Sequence, residues 1–171
     1  MIKSIFIIGI ILMQSLSMQA RDSITVYLFL LDECRICQEL SPEMNAIYEA
    51  YGQELGFIGL FPNFSSKKKG IDDFKEKYKI QFRTKTDYFK MQSTKLNATI
   101  LPEVVVYNEN SKAILYRGAI NDLFLSPGKR RQFVRNHYLR DALDAILKNQ
   151  RPVVKETQPV GCFINFNDAL N

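Results

Sequence analysis

The sequence has a single histidine, three cysteines and no tryptophan. One histidine and three thiols leave little for zinc. A pair of cysteines, Cys34 and Cys37, could supply half of a tetrahedral site, but only Cys162 and His137 remain to complete it. Helical periodicity sets His137 about 160° from Leu139 at 100° per residue, on the solvent side of a C-terminal helix. No metal site is therefore expected. An odd, sparse set of cysteines also excludes the dense disulfide framework of a small stapled domain. Charge of one sign does not dominate: 23 basic against 18 acidic residues give +5. The two basic runs, Lys67–Lys69 and Lys129–Arg131, lack interleaved aromatic residues, so they describe solvated loops rather than a nucleic-acid footprint. No internal repeat is present. At 171 residues the chain is long enough for one domain with a core, and short for two.

The N-terminus carries a processing signal. Lys3 precedes nine apolar residues, Ile5 to Met13, and small or polar residues follow to Ala20. Nine residues fall short of the roughly 20 that span a bilayer and suit the apolar region of a secretory signal peptide. Residues 1–20 are expected to be this leader, with cleavage after Ser17 or Ala20; retained, it would anchor the chain. Residues 21–149 would then form the domain, and 150–171 a C-terminal tail carrying Cys162. The expected location is outside the cytosol, in a bacterial periplasm or secreted, with no membrane span after cleavage. Disulfides persist there.

Ile24–Leu31 is β-branched and aromatic with little charge, as a strand buried on both faces requires. Leu40, Met44, Ile47, Tyr48 and Tyr51 recur at three and four, which predicts a helix over Arg35–Tyr51 ending at Gly52. Phe57–Phe61 is a second buried strand, parallel to the first and reached by that helix. Helices are predicted over Ile71–Tyr78, Tyr88–Leu96 and Gln132–Lys148, an extended segment over Ile80–Thr84, and antiparallel strands over Glu103–Tyr107 and Ala113–Arg117 around the turn "NENSKA". Asn121–Lys129 reads as a loop. Past Asn149 no period is visible, so the tail either packs on the domain or moves.

Cys34 and Cys37 thus fall at a strand-to-helix junction, in "DECRICQELSP". A disulfide between them would close too small a loop to restrain the unfolded chain much. Redox chemistry has a better mechanism: a thiol at a helix N-terminus feels unpaired N–H groups and the helix dipole, which lower its pKa. Cys34 is the expected nucleophile and Cys37, one turn in, the resolving thiol. Arg35 should favour the thiolate, whereas Asp32 and Glu33 should oppose it.

Several residues together resemble the thioredoxins. Pro42 follows Cys37 by five positions, like the kinking proline of the thioredoxin active-site helix. In "ILPEVVVY", Leu101-Pro102 stands just before a strand and resembles the loop whose cis-proline faces the cysteine pair, and Gly118 in "YRGAI" follows in thioredoxin order. Three stretches, "ECRIC", "LPEVVVYNENSKAILYRGAIND" and "YLRDALDAILKNQRPVVKETQPVGCFI", are similar to bacterial exported redoxin-domain proteins of the peroxiredoxin-like branch. The resemblance covers roughly Ile24–Ile164 and implies a thioredoxin-like three-layer α/β/α sandwich with a mixed central sheet plus the C-terminal tail, with Cys34 and Cys37 as redox pair and Leu101 and Pro102 in the substrate groove. Tyr27 and Leu31 stand where peroxiredoxins carry proline and threonine, which argues against peroxidase activity. Glu33 and Arg35-Ile36 replace the tryptophan and the Gly-Pro of the thioredoxin motif.

Cys162, in apolar "VGCFINF", has two readings. It is either a buried inert thiol or a third redox thiol that exchanges with Cys34 when the tail folds over the site. Asn63 and Asn97 sit in glycosylation sequons, which a bacterial setting makes coincidental. Phe61, Phe64, Phe82 and Phe89 are either core or a contact surface. The expected function is an exported thiol-disulfide oxidoreductase without cofactor, acting on protein thiols or disulfides through an unidentified redox partner and not on nucleic acid. The alternatives are a copper(I)-handling protein, since paired thiolates are soft ligands, and a redox-inactive binding module.

Overall fold

The computed structural model describes residues 24–167; the expected leader lies outside them. The apolar run after Ser23 forms β1 (Ile24–Phe29), followed by α1 (Arg35–Tyr51) and β2 (Gly56–Phe61). β2 lies parallel to β1, as a helical crossover dictates. A second crossover, α2 (Lys68–Lys77), leads to β3 (Arg83–Thr86), parallel to β2. A short helix, α3 (Met91–Lys95), and the two-residue β4 (Ile100–Leu101) precede β5 (Glu103–Asn108), which runs antiparallel to β1 and pairs with β6 (Ala113–Gly118). The main sheet is mixed, in the order β3-β2-β1-β5-β6. Val26 to Leu30 and Val104 to Val106 are buried at every position. Burial of successive residues, whose side chains alternate between faces, requires cover on both sides of the sheet and hence a layered α/β arrangement.

The turn between β5 and β6 is built by Asn108, whose side-chain oxygen accepts from the N–H groups of Asn110 and Ser111. The C-terminal helix, α4 (Tyr138–Leu147), buries Leu139, Ala142, Leu143 and Ile146. It is joined to α1 by Tyr51 donating to Asp144 at 2.7 Å and by Arg140 paired with Glu43 at 2.7 Å.

Several predicted elements differ, among them the extended segment Ile80–Thr84, where the strand instead runs Arg83–Thr86. The last helix begins at Tyr138 rather than Gln132, because the Asp122 carboxylate takes the N–H groups of Arg135 and Asn136 and holds that approach extended. Asp87 does the same at the shorter α3: its oxygens accept from the N–H groups of Gln92 and Ser93, so the helix starts at Met91 rather than Tyr88. The Asn121–Lys129 loop contains most of a small hairpin, β7 (Phe124–Ser126) with β8 (Lys129–Arg130), turned at Pro127-Gly128. Among the four phenylalanines, Phe61 and Phe82 are core, Phe64 stacks on Tyr88, and Phe89 is exposed. His137 lies just before α4 and faces solvent.

The tail packs on the domain. Residues 155–157 run along β6, with Arg117 N–H donating to the Lys155 carbonyl and Thr157 N–H to the Arg117 carbonyl. Farther on, β9 (Cys162–Phe163) pairs antiparallel with β4. Among the described residues, no helix is long and apolar enough to cross a membrane.

Candidate active site

The chain leaves β1 through Leu30 and Leu31 and turns at Asp32-Glu33 into α1. Asp32 is buried; its carboxylate accepts from the Ser66 hydroxyl and its carbonyl from Gln38 Nε2 at 2.8 Å, which fixes the turn. Cys34 is the residue capping α1, in extended conformation, and its carbonyl accepts the first helical hydrogen bond from Gln38. The helix therefore aims its free N–H groups at the Cys34 sulfur. Cys37, one turn on, is fully buried and accepts from Leu31 N–H at 3.5 Å. Ser41 donates to the Cys37 carbonyl at 2.9 Å, and Pro42, inside the helix, offers no N–H to the Gln38 carbonyl.

The second wall comes from the segment before β5. The Leu101-Pro102 peptide is cis, and the Leu101 carbonyl lies 3.3 Å from Cys34 Sγ, where it accepts from the thiol when that is protonated. Glu103 holds this loop in place. Its buried carboxylate accepts from Thr99 N–H at 2.9 Å and Ile100 N–H at 3.2 Å, and pairs with Arg117 at 3.0 Å. Arg117 also donates to the Asn97 carbonyl and flanks Glu156 of the tail at 3.6 Å, so one guanidinium ties the cis-proline loop to the tail.

Register places Cys162 opposite Leu101, and its Sγ meets Cys34 Sγ at 2.8 Å; all three cysteines are free thiols. Hydrogen bonding from Cys37 is the largest influence on Cys34; together with Cys162 and the N–H groups of Cys37 and Ile36 it outweighs burial and lowers the pKa from 9.0 to about 5. Burial, with the hydrogen bond to Cys34 and its charge, pushes Cys37 well above the ordinary thiol range. The same causes raise Cys162 to about 12. One thiolate thus faces two thiols that stay protonated. Arg35 contributes less than its position suggests: it is largely exposed and turned to Glu39 at 2.7 Å, which also binds Arg130 at 2.7 Å. Beside the sulfurs opens a cavity of about 250 Å³, bounded by Cys34, Glu39, Phe124, Arg130 and Cys162.

Every residue singled out in the sequence for this site, Cys34, Cys37, Leu101, Pro102 and Cys162, lies in one place, with Pro42 in the adjoining helix turn. Sequence reasoning missed Glu103 and Arg117. The available signals were a glutamate directly after Pro102 and an opposite charge beside it on the neighbouring strand, where Arg117 stands opposite Val105.

No protein-family model and no curated protein matches the chain. Solved structures do. A hypothetical protein from Sinorhizobium meliloti is similar with a TM-score of 0.72 and 20% identity, over 87% of this chain and 82% of that one. An uncharacterized conserved protein from Geobacillus kaustophilus gives 0.70 and 20%, over 85% and 78%. A provisionally assigned thioredoxin from Neisseria meningitidis gives 0.57 and 14%, over 76% and 78%. With its mixed sheet, its cysteines at the head of α1 and the cis-proline loop facing them, the chain has the thioredoxin-like fold.

Proposed function

We propose that the protein is an exported thiol-disulfide oxidoreductase in which Cys34 attacks, Cys37 resolves and the Leu101-Pro102 loop forms the substrate groove. The observation that carries this reading is geometric: Cys34 caps α1 with the Leu101 carbonyl of the cis-proline loop 3.3 Å from its sulfur and Cys37 one helical turn behind, and hydrogen bonding from Cys37 lowers the Cys34 pKa toward about 5. The Cys34 thiolate attacks one sulfur of a substrate disulfide. That S–S bond breaks, the leaving sulfur departs with the electron pair, and Cys34 is joined to the substrate. Cys37 then loses its proton to the departing thiolate and attacks Cys34 Sγ, releasing the second substrate sulfur and leaving a Cys34–Cys37 disulfide. The substrate is reduced by two electrons and the pair is oxidised; the reverse sequence oxidises a dithiol.

Contact between the Cys162 and Cys34 sulfurs supports the third-thiol reading of the tail. Cys162 can resolve the mixed disulfide in place of Cys37, giving Cys34–Cys162, which Cys37 then converts to Cys34–Cys37. The apolar run after Lys3 supports export, with residues 1–20 as leader, 21–149 as domain and 150–171 as tail.

Titration of the mature protein in glutathione buffers, with acid trapping, alkylation and peptide mass mapping of all three thiols, tests this. A reversible Cys34–Cys37 disulfide is expected, with Cys34–Cys162 accumulating in Cys37→Ser. Absence of any reversible disulfide overturns the reading.

A further inference from the structure

The site is already occupied by a strand of this same chain. The tail runs antiparallel to Ile100–Leu101, with Cys162 opposite Leu101 and Phe163 opposite Ile100, and Ile164 N–H donates to the Thr99 carbonyl at 2.9 Å. Across from this edge stands Asn63, itself buried. Its side-chain amide donates to the Phe163 carbonyl at 3.1 Å, and its oxygen accepts from Asn165 N–H at 2.9 Å. Donor and acceptor of one amide thus meet main-chain groups two residues apart, the spacing of an extended strand. Both contacts are blind to side-chain identity. Cys162 is carried by this strand to direct contact with the Cys34 sulfur, where a client cysteine must lie to be attacked.

Selectivity enters one residue earlier. A Cβ at Gly161 would stand 2.0 Å from the Leu101 carbonyl oxygen, 2.6 Å from its carbon and 3.1 Å from Pro102 N. These are backbone atoms of the loop that Glu103 holds, so they have little freedom to retreat. Side chains after the cysteine meet mixed demands: Phe163 is exposed, whereas Ile164 is buried.

We propose that this groove binds extended polypeptide with glycine immediately before the reacting cysteine, that Asn63 is the residue reading its main chain, and that the tail is a tethered occupant which a client must displace. The proposal rests on Cys34 as nucleophile. In the step tested, Cys34 thiolate attacks the peptide sulfur of a mixed disulfide, that S–S bond breaks, and the second thiolate leaves with the electron pair.

The experiment uses the reduced full chain and the peptide VGCFIN, its cysteine held as a mixed disulfide with thionitrobenzoate, whose coloured release is timed. Comparisons are the peptide with alanine for its glycine, and the thionitrobenzoate disulfide of N-acetylcysteine methylamide. Alanine in the peptide should slow release at least about tenfold, whereas Gly161→Ala in the protein should accelerate release from VGCFIN by loosening the occupant. The same change then acts in opposite directions according to which strand carries it. Asn63→Ala should reduce the ratio of the VGCFIN rate to the single-cysteine rate about tenfold, as loss of two ordinary hydrogen bonds implies. Equal rates for the glycine and alanine peptides, or a ratio unmoved by Asn63→Ala, overturn the proposal even if Gly161→Ala fails to fold. If the single-cysteine disulfide itself releases nothing through Cys34, the nucleophile assignment falls first and this proposal with it.

Discussion

A few local hydrogen bonds decide how Cys34 behaves. Its pKa of about 5 is set first by Cys37 and then, among donors, by Cys162. Mass-resolved alkylation of Cys34 with iodoacetamide should therefore rise through a midpoint near pH 5. Cys37→Ala should move that midpoint up, and Cys162→Ala should move it up by less. An unperturbed midpoint near 9 in the native chain would remove the basis for calling Cys34 the nucleophile. Glu103 shows a second residue-level dependence. Its carboxylate accepts from two N–H groups and pairs with Arg117, so Glu103→Ala leaves both N–H groups without their acceptor and the guanidinium with only Asn97 and Glu156. The expected loss is about 3–5 kcal/mol in urea unfolding, with Glu103→Gln retaining part of it. A loss below about 1 kcal/mol would mean that the pair behaves like a surface ion pair.

Among the elements, the tail depends on where β6 ends. Gly118 has φ +127°, and a Cβ there would lie 2.1 Å from the Thr157 carbonyl oxygen. Gly118→Ala therefore meets both an unfavourable backbone and the tail itself, and should cost about 1–3 kcal/mol. Hydrogen exchange should localise the damage, with faster exchange at Thr157 N–H, which bonds to Arg117. Uniform loosening of the sheet would contradict this. The same scale shows where periodicity was sufficient. The α1 stripe and the β-branched runs of β1 and β5 are dictated by burial on a regular lattice, so they were legible in sequence. The starts of α3 and α4 were not, because Asp87 and Asp122 bind backbone N–H groups several residues away, and in Asp122 the separation is 13 residues. The β7–β8 hairpin carries too few apolar residues to announce itself, its strands being two and three residues long.

For the whole molecule, the thiol environments couple redox state and pH to stability. Cys34 has a folded pKa near 5, below its ordinary 9.0. The folded state therefore favours the thiolate, and this contribution is fully present above about pH 9 and lost as pH falls through 5. Cys162 is shifted the other way, to about 12, so its contribution is present below pH 9 and lost as pH rises toward 12. Under reducing conditions the native chain should gain stability relative to Cys34→Ala between about pH 5 and 9, seen as a widening gap in urea midpoints; a constant gap would contradict the coupling. A stabilised thiolate also favours the reduced pair, so the Cys34–Cys37 potential should lie on the oxidising side of thioredoxin's roughly −270 mV. A value below that would show that burial of Cys37 dominates.

By itself the sequence determined what periodicity and near-neighbour spacing encode: a βαβ unit, two cysteines at a helix head, and a proline ahead of a buried strand. These depend on residues a few positions apart, whose relative placement follows from the 3.6 and 2.0 residue repeats. Only the tertiary structure brings the tail cysteine to the Cys34 sulfur, because Cys34 and Cys162 are 128 residues apart and no local pattern encodes their contact. Asn63, noticed in sequence only as a coincidental sequon, owes its place to the meeting of a loop after β2 with a tail strand 100 residues later. Such a contact is set by the closing of the chain on itself, through packing that has no repeat along the sequence.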